Sequence, residues 1–330
     1  MLPATWVPLS AFAATLVTCW WLLRGRAALI GLDHPNERSL HQNAVPRTGG
    51  IAIHAGILCA WILLTPDIPY VTWVGLVALV TLSLLDDLQG LPVALRLFVH
   101  VFISAVVALH FFSASPFWFT IPIATMVITW MANLYNFMDG SDGLAGGMTF
   151  WGFGFYGAAA YLSGDMGLSS ISFSVAASAA AFLLFNFYPA RVFMGDSGSV
   201  ALGYLAGTIG IMGWARGNWT WWFPLLVFSP IIVDASITLA RRTAGRVRIW
   251  QAHRDHYYQR LVQLGWGHRR TALAEYGLMT FCGAAALAGL RCSLAGQLAL
   301  LLAATMLYVL IISLIEIAWR KHQAKIAHEA

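Results

Sequence analysis

Two adjacent carboxylates, Asp86-Asp87, close an apolar run that ends Leu84-Leu85. Like charges this near repel unless a cation joins them, and either one costs on the order of 2.5–3.5 kcal/mol if pushed into hydrocarbon. Such a pair handles a metal or a phosphate, or it is a solvated helix end. A second polar run, Asn133-Leu134-Tyr135-Asn136-Phe137-Met138-Asp139-Gly140-Ser141-Asp142-Gly143-Leu144, offers oxygen and amide groups beside free backbone. Those groups suit sugar hydroxyls, a base edge or a hard cation; the plainer reading is an Asn/Asp/Gly turn. A third, from Asn186 through Phe193-Met194-Gly195-Asp196-Ser197-Gly198-Ser199, puts Asp196 where a helix opens. A carboxylate there can hold Mg²⁺ against a phosphate, or simply cap the helix. His253-Arg254-Asp255-His256 reads as helical, with the two histidines three apart on one face and arginines near, as suits a phosphate or diphosphate. The alternative is a basic segment touching anionic lipid; zinc is weaker still. The stretch Asp33-His34-Pro35-Asn36-Glu37-Arg38-Ser39 precedes Pro46-Arg47-Thr48-Gly49-Gly50, where Arg47 adds charge and the glycine pair offers backbone N–H groups to an anion, unless it is a plain loop-to-helix junction.

The elements that must position these groups are apolar. The chain has 330 residues, 59% hydrophobic and 10% charged, with mean hydropathy +0.71. A soluble domain carries roughly 25% charged residues, so lipid must replace water over much of the exterior. The 15 Trp and 10 Tyr suit two membrane–water interfaces. Cys19, Cys59, Cys282 and Cys292 show no CxxC-type spacing, which argues against disulfides and a zinc site. Eleven apolar segments are predicted as spanning helices: Trp6–Leu23, Gly49–Leu64, Tyr70–Leu85, Val93–Phe112, Phe117–Leu134, Gly147–Leu162, Ser169–Phe187, Ser199–Trp214, Trp219–Ala240, Ala272–Leu290 and Leu294–Trp319. The alternation of a membrane barrel is absent. The fold class is therefore all-α, a polytopic membrane bundle of about 11 helices forming one domain over 1–330.

Charge orients it. With the N-terminus outside and the C-terminus inside, every Lys and Arg of the 19 except Arg216 and Arg291 falls on one side, together with all five polar loops. The positive-inside rule makes that side cytoplasmic. Carboxylates that attract Mg²⁺ then share one membrane face with arginines and helix N-termini that attract phosphate. The site expected there joins a soluble phosphorylated donor to a membrane-held acceptor. The rival is a transporter of a phosphorylated solute, but transporters place their sites near the midplane, and these charges crowd one edge. A structural or receptor role would not need so many convergent acids.

These motifs resemble the polyprenyl-phosphate N-acetylhexosamine-1-phosphate transferase family. Pro46 to Gly50 is similar to its Pro-x-x-Gly-Gly opening, Asp86-Asp87 to its aspartate pair, and Asn133–Leu144 to its Asn-x-x-Asn-x-x-Asp-Gly-x-Asp-Gly-Leu signature. Phe193–Ser199 resembles Phe-Met-Gly-Asp-x-Gly-Ser, with Asn186 ten residues before Asp196 as that pattern asks, and His253 and His256 resemble its histidine loop. Two departures stand out. Gly90 takes the place of a frequent charged residue, and His-Arg-Asp-His replaces the consecutive histidines of the peptidoglycan enzyme. The second favours the branch that initiates O-antigen or capsule.

The resemblance implies transfer of N-acetylhexosamine-1-phosphate from a UDP-sugar, N-acetylated glucosamine or a 6-deoxy sugar, to undecaprenyl phosphate, with release of UMP. It implies Mg²⁺, or Mn²⁺ in its place, on Asp196. Asp86 or Asp87 would orient or deprotonate the lipid phosphate, with a two-step aspartyl-phosphate route left open. Asn133, Asn136, Asp139, Asp142, Asn186 and Phe193 would shape the nucleotide pocket, Phe193 stacking on uracil. His253, His256, Arg254 and Arg47 would hold diphosphate or sugar. The prenyl tail would lie along a lipid-facing groove. The expected setting is a bacterial inner membrane with the site in the cytoplasm; the partners are the two substrates and membrane lipid, a homodimer is the candidate assembly, and nucleic acid is not a partner.

Overall fold

The computed structural model describes residues 6–24, 31–33, 44–63, 68–246 and 253–329. Almost all of them are helical. In chain order the helices are α1 (Trp6–Arg24), α2 (Gly49–Leu63), α3 (Tyr70–Gln89), α4 (Val93–Phe112), α5 (Thr120–Met138), α6 (Leu144–Ser163), α7 (Met166–Asn186), α8 (Asp196–Ala215), α9 (Trp222–Val227), α10 (Ser229–Ala244), α11 (Tyr257–Leu261), α12 (Gly267–Gly289) and α13 (Leu294–Glu329). A π-helical turn, Val262–Trp266, joins α11 to α12. Two two-residue strands, Leu32–Asp33 and Val45–Pro46, pair antiparallel ahead of α2. The protein is thus a polytopic helical membrane bundle, and seven of the described helices are long and apolar enough to cross a bilayer.

The eleven apolar segments of the sequence each fall on helix, with one correction. The stretch Trp219–Ala240 forms two helices, not the single one that its apolar run predicts. It is broken at Phe228 (φ −97°, ψ 13°), with Pro230 in the first turn of the second piece. Proline has no N–H to give and crowds the carbonyl four residues back, so the ladder cannot continue through it.

Helix α8 runs through the centre, buried along nearly its whole length. Lipid offers no hydrophobic drive between helices, so close backbone approach holds them. A Cβ on Gly203 would lie 2.4 Å from the Met131 carbonyl oxygen of α5, and one on Gly207 would lie 2.9 Å from the Ile128 Cα. The two helices meet backbone to backbone because nothing larger than glycine fits. Their inner ends carry Asn136 and Asp196.

Neighbouring helices alternate in direction, so α2, α4, α8 and α12 start at the end where α3, α5, α7 and α10 finish. That shared end holds the polar motifs. At the opposite end Asp165 caps α7, accepting the Leu168 amide at 2.8 Å, and also binds Asn218 at 2.9 Å and Arg216 at 3.3 Å. These bonds lower its carboxyl below the usual range against the opposing pull of burial.

Candidate active site

The aspartate pair occupies the last turn of α3. Gly90 follows as a left-handed cap (φ +65°), returning its N–H to the Asp86 carbonyl at 2.8 Å. That conformation asks for glycine, which explains why no charged residue stands there. Asp86 Oδ1 accepts the Leu91 amide at 2.7 Å, and Oδ2 pairs with the guanidinium of Arg96, in the first turn of α4. The same Arg96 nitrogen lies 3.9 Å from Asp196 Oδ2. Arg96 therefore bridges the aspartate pair and the start of α8. Asp87 is exposed beside them, within the field of Asp196, Arg47, Asp86 and Arg96.

Asp196 opens α8 with a carboxylate that is 30% exposed. Asn136, at the end of α5, donates to it at 3.5 Å and accepts the Ser199 hydroxyl at 2.8 Å. Asp139 lies just past α5. Burial first, then the Asp196 carboxylate, push its carboxyl well above the usual range, against the pull of Arg47 and a Gly195 backbone bond. Arg47 pairs with Asp33 at 2.8 Å while facing Asp139 and Asp196. Five groups from four sequence motifs, Arg47, Asp86, Asp87, Asp139 and Asp196, so gather with Asn136 and Arg96 in one patch.

The glycine pair does not offer its amides to an anion, which corrects the sequence reading. Gly49 N–H donates to the Phe193 carbonyl at 2.9 Å and Gly50 N–H to the Met194 carbonyl at 2.8 Å, while Phe193 N–H donates to Pro46 O at 2.8 Å. The Gly50 and Gly198 backbones touch, leaving no room for a Cβ on either. The glycines dock the start of α2 onto the start of α8, and this strap fixes the backbone of Phe193.

Asn186 is 4% exposed. Its Oδ1 accepts the Gly143 amide at 3.1 Å and its Nδ2 donates to Val192 O at 2.9 Å. Asp142, also buried, accepts the Ala190 amide at 3.0 Å and lies 4.0 Å from His268. Asn133 turns back onto its own helix, donating to Thr129 O at 2.7 Å. Asn186 and Asp142 thus staple loops together, and the Asn133 amide is engaged within α5.

The histidine loop differs from its expected form: α11 begins only at Tyr257, so His253 and His256 precede the helix instead of sharing a helical face. They meet by stacking, with ring centroids 4.9 Å apart, and His256 also stacks on Phe137 at 6.2 Å. Tyr258 donates to the Phe137 carbonyl at 3.2 Å, tying the loop to the end of α5. Burial, then His256 and Arg242, lower the His253 ring to about 4, so it is neutral at physiological pH. Arg254 lies at the rim, with no ion pair for its guanidinium among the described residues. The rest of the first loop, His34 to Ser39, lies outside the described residues.

Three residues outside the sequence motifs prove central. In the sequence Arg96 counts only as one of the basic residues of the crowded side. Asp234 on α10 receives the histidine loop; an acid inside an apolar span was its signal. Glu316 on α13 collects Arg241, Arg260 at 2.9 Å and the Tyr257 hydroxyl at 3.0 Å.

The family model described as glycosyl transferase family 4 matches residues 70–214. The undecaprenyl-phosphate alpha-N-acetylglucosaminyl 1-phosphate transferase of Yersinia pestis is 30% identical over 278 residues, covering 76% of this chain and 74% of that protein. The chain belongs to glycosyl transferase family 4. Other members of the family match it over similar lengths. A probable undecaprenyl-phosphate N-acetylglucosaminyl 1-phosphate transferase of Bacillus subtilis is 29% identical over 264 residues, 74% of this chain and 73% of its own. The decaprenyl-phosphate N-acetylglucosaminephosphotransferase of Mycolicibacterium smegmatis is 28% identical over 331 residues, 83% and 80%. The family-4 match runs from α3 to the end of α8, so it contains Asp86, Asp87, Arg96, Asn136, Asp139 and Asp196.

Proposed function

We propose that this chain transfers N-acetylhexosamine-1-phosphate from a UDP-sugar to undecaprenyl phosphate, releasing UMP, at the cytoplasmic face of a bacterial inner membrane. The observation that carries the reading is the patch in which Arg96 joins the Asp86 and Asp196 carboxylates beside Arg47 and Asp139. Two arginines against four or more carboxylates leave a site that is short of positive charge until a cation and phosphates arrive together.

An oxygen of the lipid phosphate attacks the sugar-bearing phosphorus of the donor, and the bond to the UMP oxygen breaks. A phosphate monoester has its second pKa near 6, so the acceptor is already largely ionised at neutral pH and needs orientation more than a base. Asp87, exposed at the edge of α3, orients it. Arg96 is placed to leave its carboxylate partners for phosphate oxygens, and Arg47 reaches the same space. Phe193 offers a ring to uracil, and His253, His256 and Arg254 face the sugar and diphosphate.

The donor set also fits magnesium. Asp196 is an open carboxylate among oxygen ligands, and no closed cage of three acids or histidines forms among the described residues. Mg²⁺ prefers one or two carboxylates completed by substrate phosphates. Asp196 would hold it, or Mn²⁺, together with the donor diphosphate. When bound, the ion neutralises charge on the phosphoryl group and on leaving UMP.

For the prenyl tail, α5, α8, α9 and α10 enclose an apolar cavity of about 480 Å³, lined by Ile123, Met131, Gly207, Trp214, Leu225 and Ile232 among others. Helices α5 and α8 line it and also carry Asn136 and Asp196, so one helix pair serves both ends of the acceptor. The His-Arg-Asp-His loop supports the O-antigen or capsule branch and an N-acetylated glucosamine or 6-deoxy donor.

The test is UMP release from a panel of UDP-N-acetylhexosamines with undecaprenyl phosphate in detergent, the lipid product being weighed by mass spectrometry. Asp196→Asn should lose about 10²–10³-fold in turnover, the scale of a lost transition-state charge contact. Near-normal turnover in that variant would reject the metal assignment, and a wild-type protein that forms no lipid product would reject the transferase.

A further inference from the structure

Asp234 belongs to none of the sequence motifs, yet it organises the histidine loop. It lies on α10, 6% exposed. Oδ1 accepts the Tyr257 amide at 2.9 Å and the Thr238 hydroxyl at 3.3 Å, and Oδ2 accepts the Tyr258 amide at 2.9 Å. His256 Nδ1 stands 3.2 Å from Oδ1. A carboxylate that receives three donors presents lone pairs, so the nitrogen facing it bonds only if that nitrogen carries the hydrogen. The Gln259 backbone N–H also points at the His256 side chain, and it would compete with Asp234 wherever it met the nitrogen that faces that carboxylate. A charge-assisted bond is roughly twice as strong as a neutral one, so Asp234 prevails.

His253 is arranged the other way. Its Nδ1 accepts the Asp255 amide at 3.3 Å, and a neutral imidazole that accepts at one nitrogen donates from the other. The two rings are stacked and nearly parallel, at 29°. His256 is 3% exposed and flanked by Phe137 and Tyr258, which keeps its ring from turning over.

We propose that Asp234 is a positioning residue that holds His256 in the Nδ1–H tautomer, so that the paired histidines present opposite valences: His256 Nε2 accepts from a hydroxyl or amide N–H of the donor sugar, while His253 Nε2–H donates to a phosphate oxygen. This rests on the transferase reading for what the rings face; the tautomer itself does not. The pairing gives an N-acetylated, hydroxyl-bearing sugar next to a diphosphate a matched pair of partners. The groups around His256 are Asp234 from α10, which also carries Arg242 as the partner of Asp255, His253 and Asp255 from the loop, Tyr258 on α11 with Asp139 acting on it, and Phe137 on α5.

Full-length chain labelled with ¹⁵N-histidine in lipid nanodiscs tests the tautomer without substrate, with His256 assigned by difference against His256→Gln. At pH 7.5 the expected spectrum shows Nδ1 protonated and Nε2 unprotonated. A protonated Nε2 on His256, in a neutral or a charged ring, overturns the proposal. In kinetics with UDP-N-acetylglucosamine, Asp234→Asn should raise KM about tenfold and change kcat by less than about threefold, the size of one misdirected buried hydrogen bond. An unchanged KM overturns the acceptor role. His256→Lys, which supplies a cation but no acceptor, should show the raised KM of a lost acceptor; a wild-type KM would mean that charge rather than acceptance binds the donor and would overturn the proposal. Should Asp234→Asn fail to fold, the wild-type spectrum still decides the tautomer. A wild-type chain that releases no UMP would sink the transferase reading and leave that spectrum standing, so the two failures are told apart.

Discussion

Asp139 shows how a single carboxyl can work against the fold that holds it. Its raised value in the folded chain means that, between the ordinary carboxylate range and that value, the native state keeps a proton that the unfolded state has released. The stability it contributes is whole below the ordinary range and is lost as pH rises through the native value. Asp139→Asn removes that loss, so in the substrate-free protein at pH 8 it should raise the melting temperature while UMP release falls. A melting temperature at or below the wild type would show that the carboxyl is not under this stress. At this scale the sequence anticipated that Asp86, Asp87, Asp139 and Asp196 gather in one patch, because chemistry and spacing coincide there. It was misleading where a motif residue serves the scaffold. Asn186 and Asp142 look like ligand groups in a line of letters, but the folded loops consume their hydrogen bonds on Gly143, Val192 and Ala190. Arg96 escaped notice because its partners come from α3 and α8, and no spacing rule along the chain announces them.

Helix positions were readable from apolar run lengths, since lipid imposes helix on any spanning segment. The break between α9 and α10 was written in Pro230 but outweighed by the continuous apolar run around it. The start of α11 was misjudged because His256 takes an extended backbone (ψ 148°) with its N–H accepted by the Gln259 side chain at 3.3 Å, a cap that composition does not reveal. What holds α5 to α8 is also local: glycines admit the neighbouring backbone. Gly203→Ala forces a methyl against the Met131 carbonyl and should destabilise the protein by about 1–3 kcal/mol, read as a lowered unfolding temperature in detergent. Because α8 carries Asp196 and α5 carries Asn136, activity should fall with it. A neutral result would mean that the two helices can part without strain.

For the whole molecule, the polar end is charged and looped and the far end is nearly bare, with Arg216 tied to Asp165. Charge predicts the orientation, and labelling tests it. Gln89 is exposed at the polar end and Trp118 is exposed at the other. In a background lacking the exposed Cys59 and Cys292, Trp118→Cys should react with an impermeant maleimide on intact spheroplasts and Gln89→Cys only after lysis. The reverse pattern would turn the bundle over and detach the site from cytoplasmic nucleotide. The apolar cavity between α5, α8, α9 and α10 bears on turnover itself. Its rim includes Phe119, Ile123 and Trp221, all exposed on the flank of the bundle, so under the proposed function the acceptor would enter from the side and the product would depart the same way. Collision then takes place in two dimensions. Diluting the acceptor with inert phospholipid at constant total acceptor should slow the reaction in proportion to its mole fraction, whereas adding buffer should not.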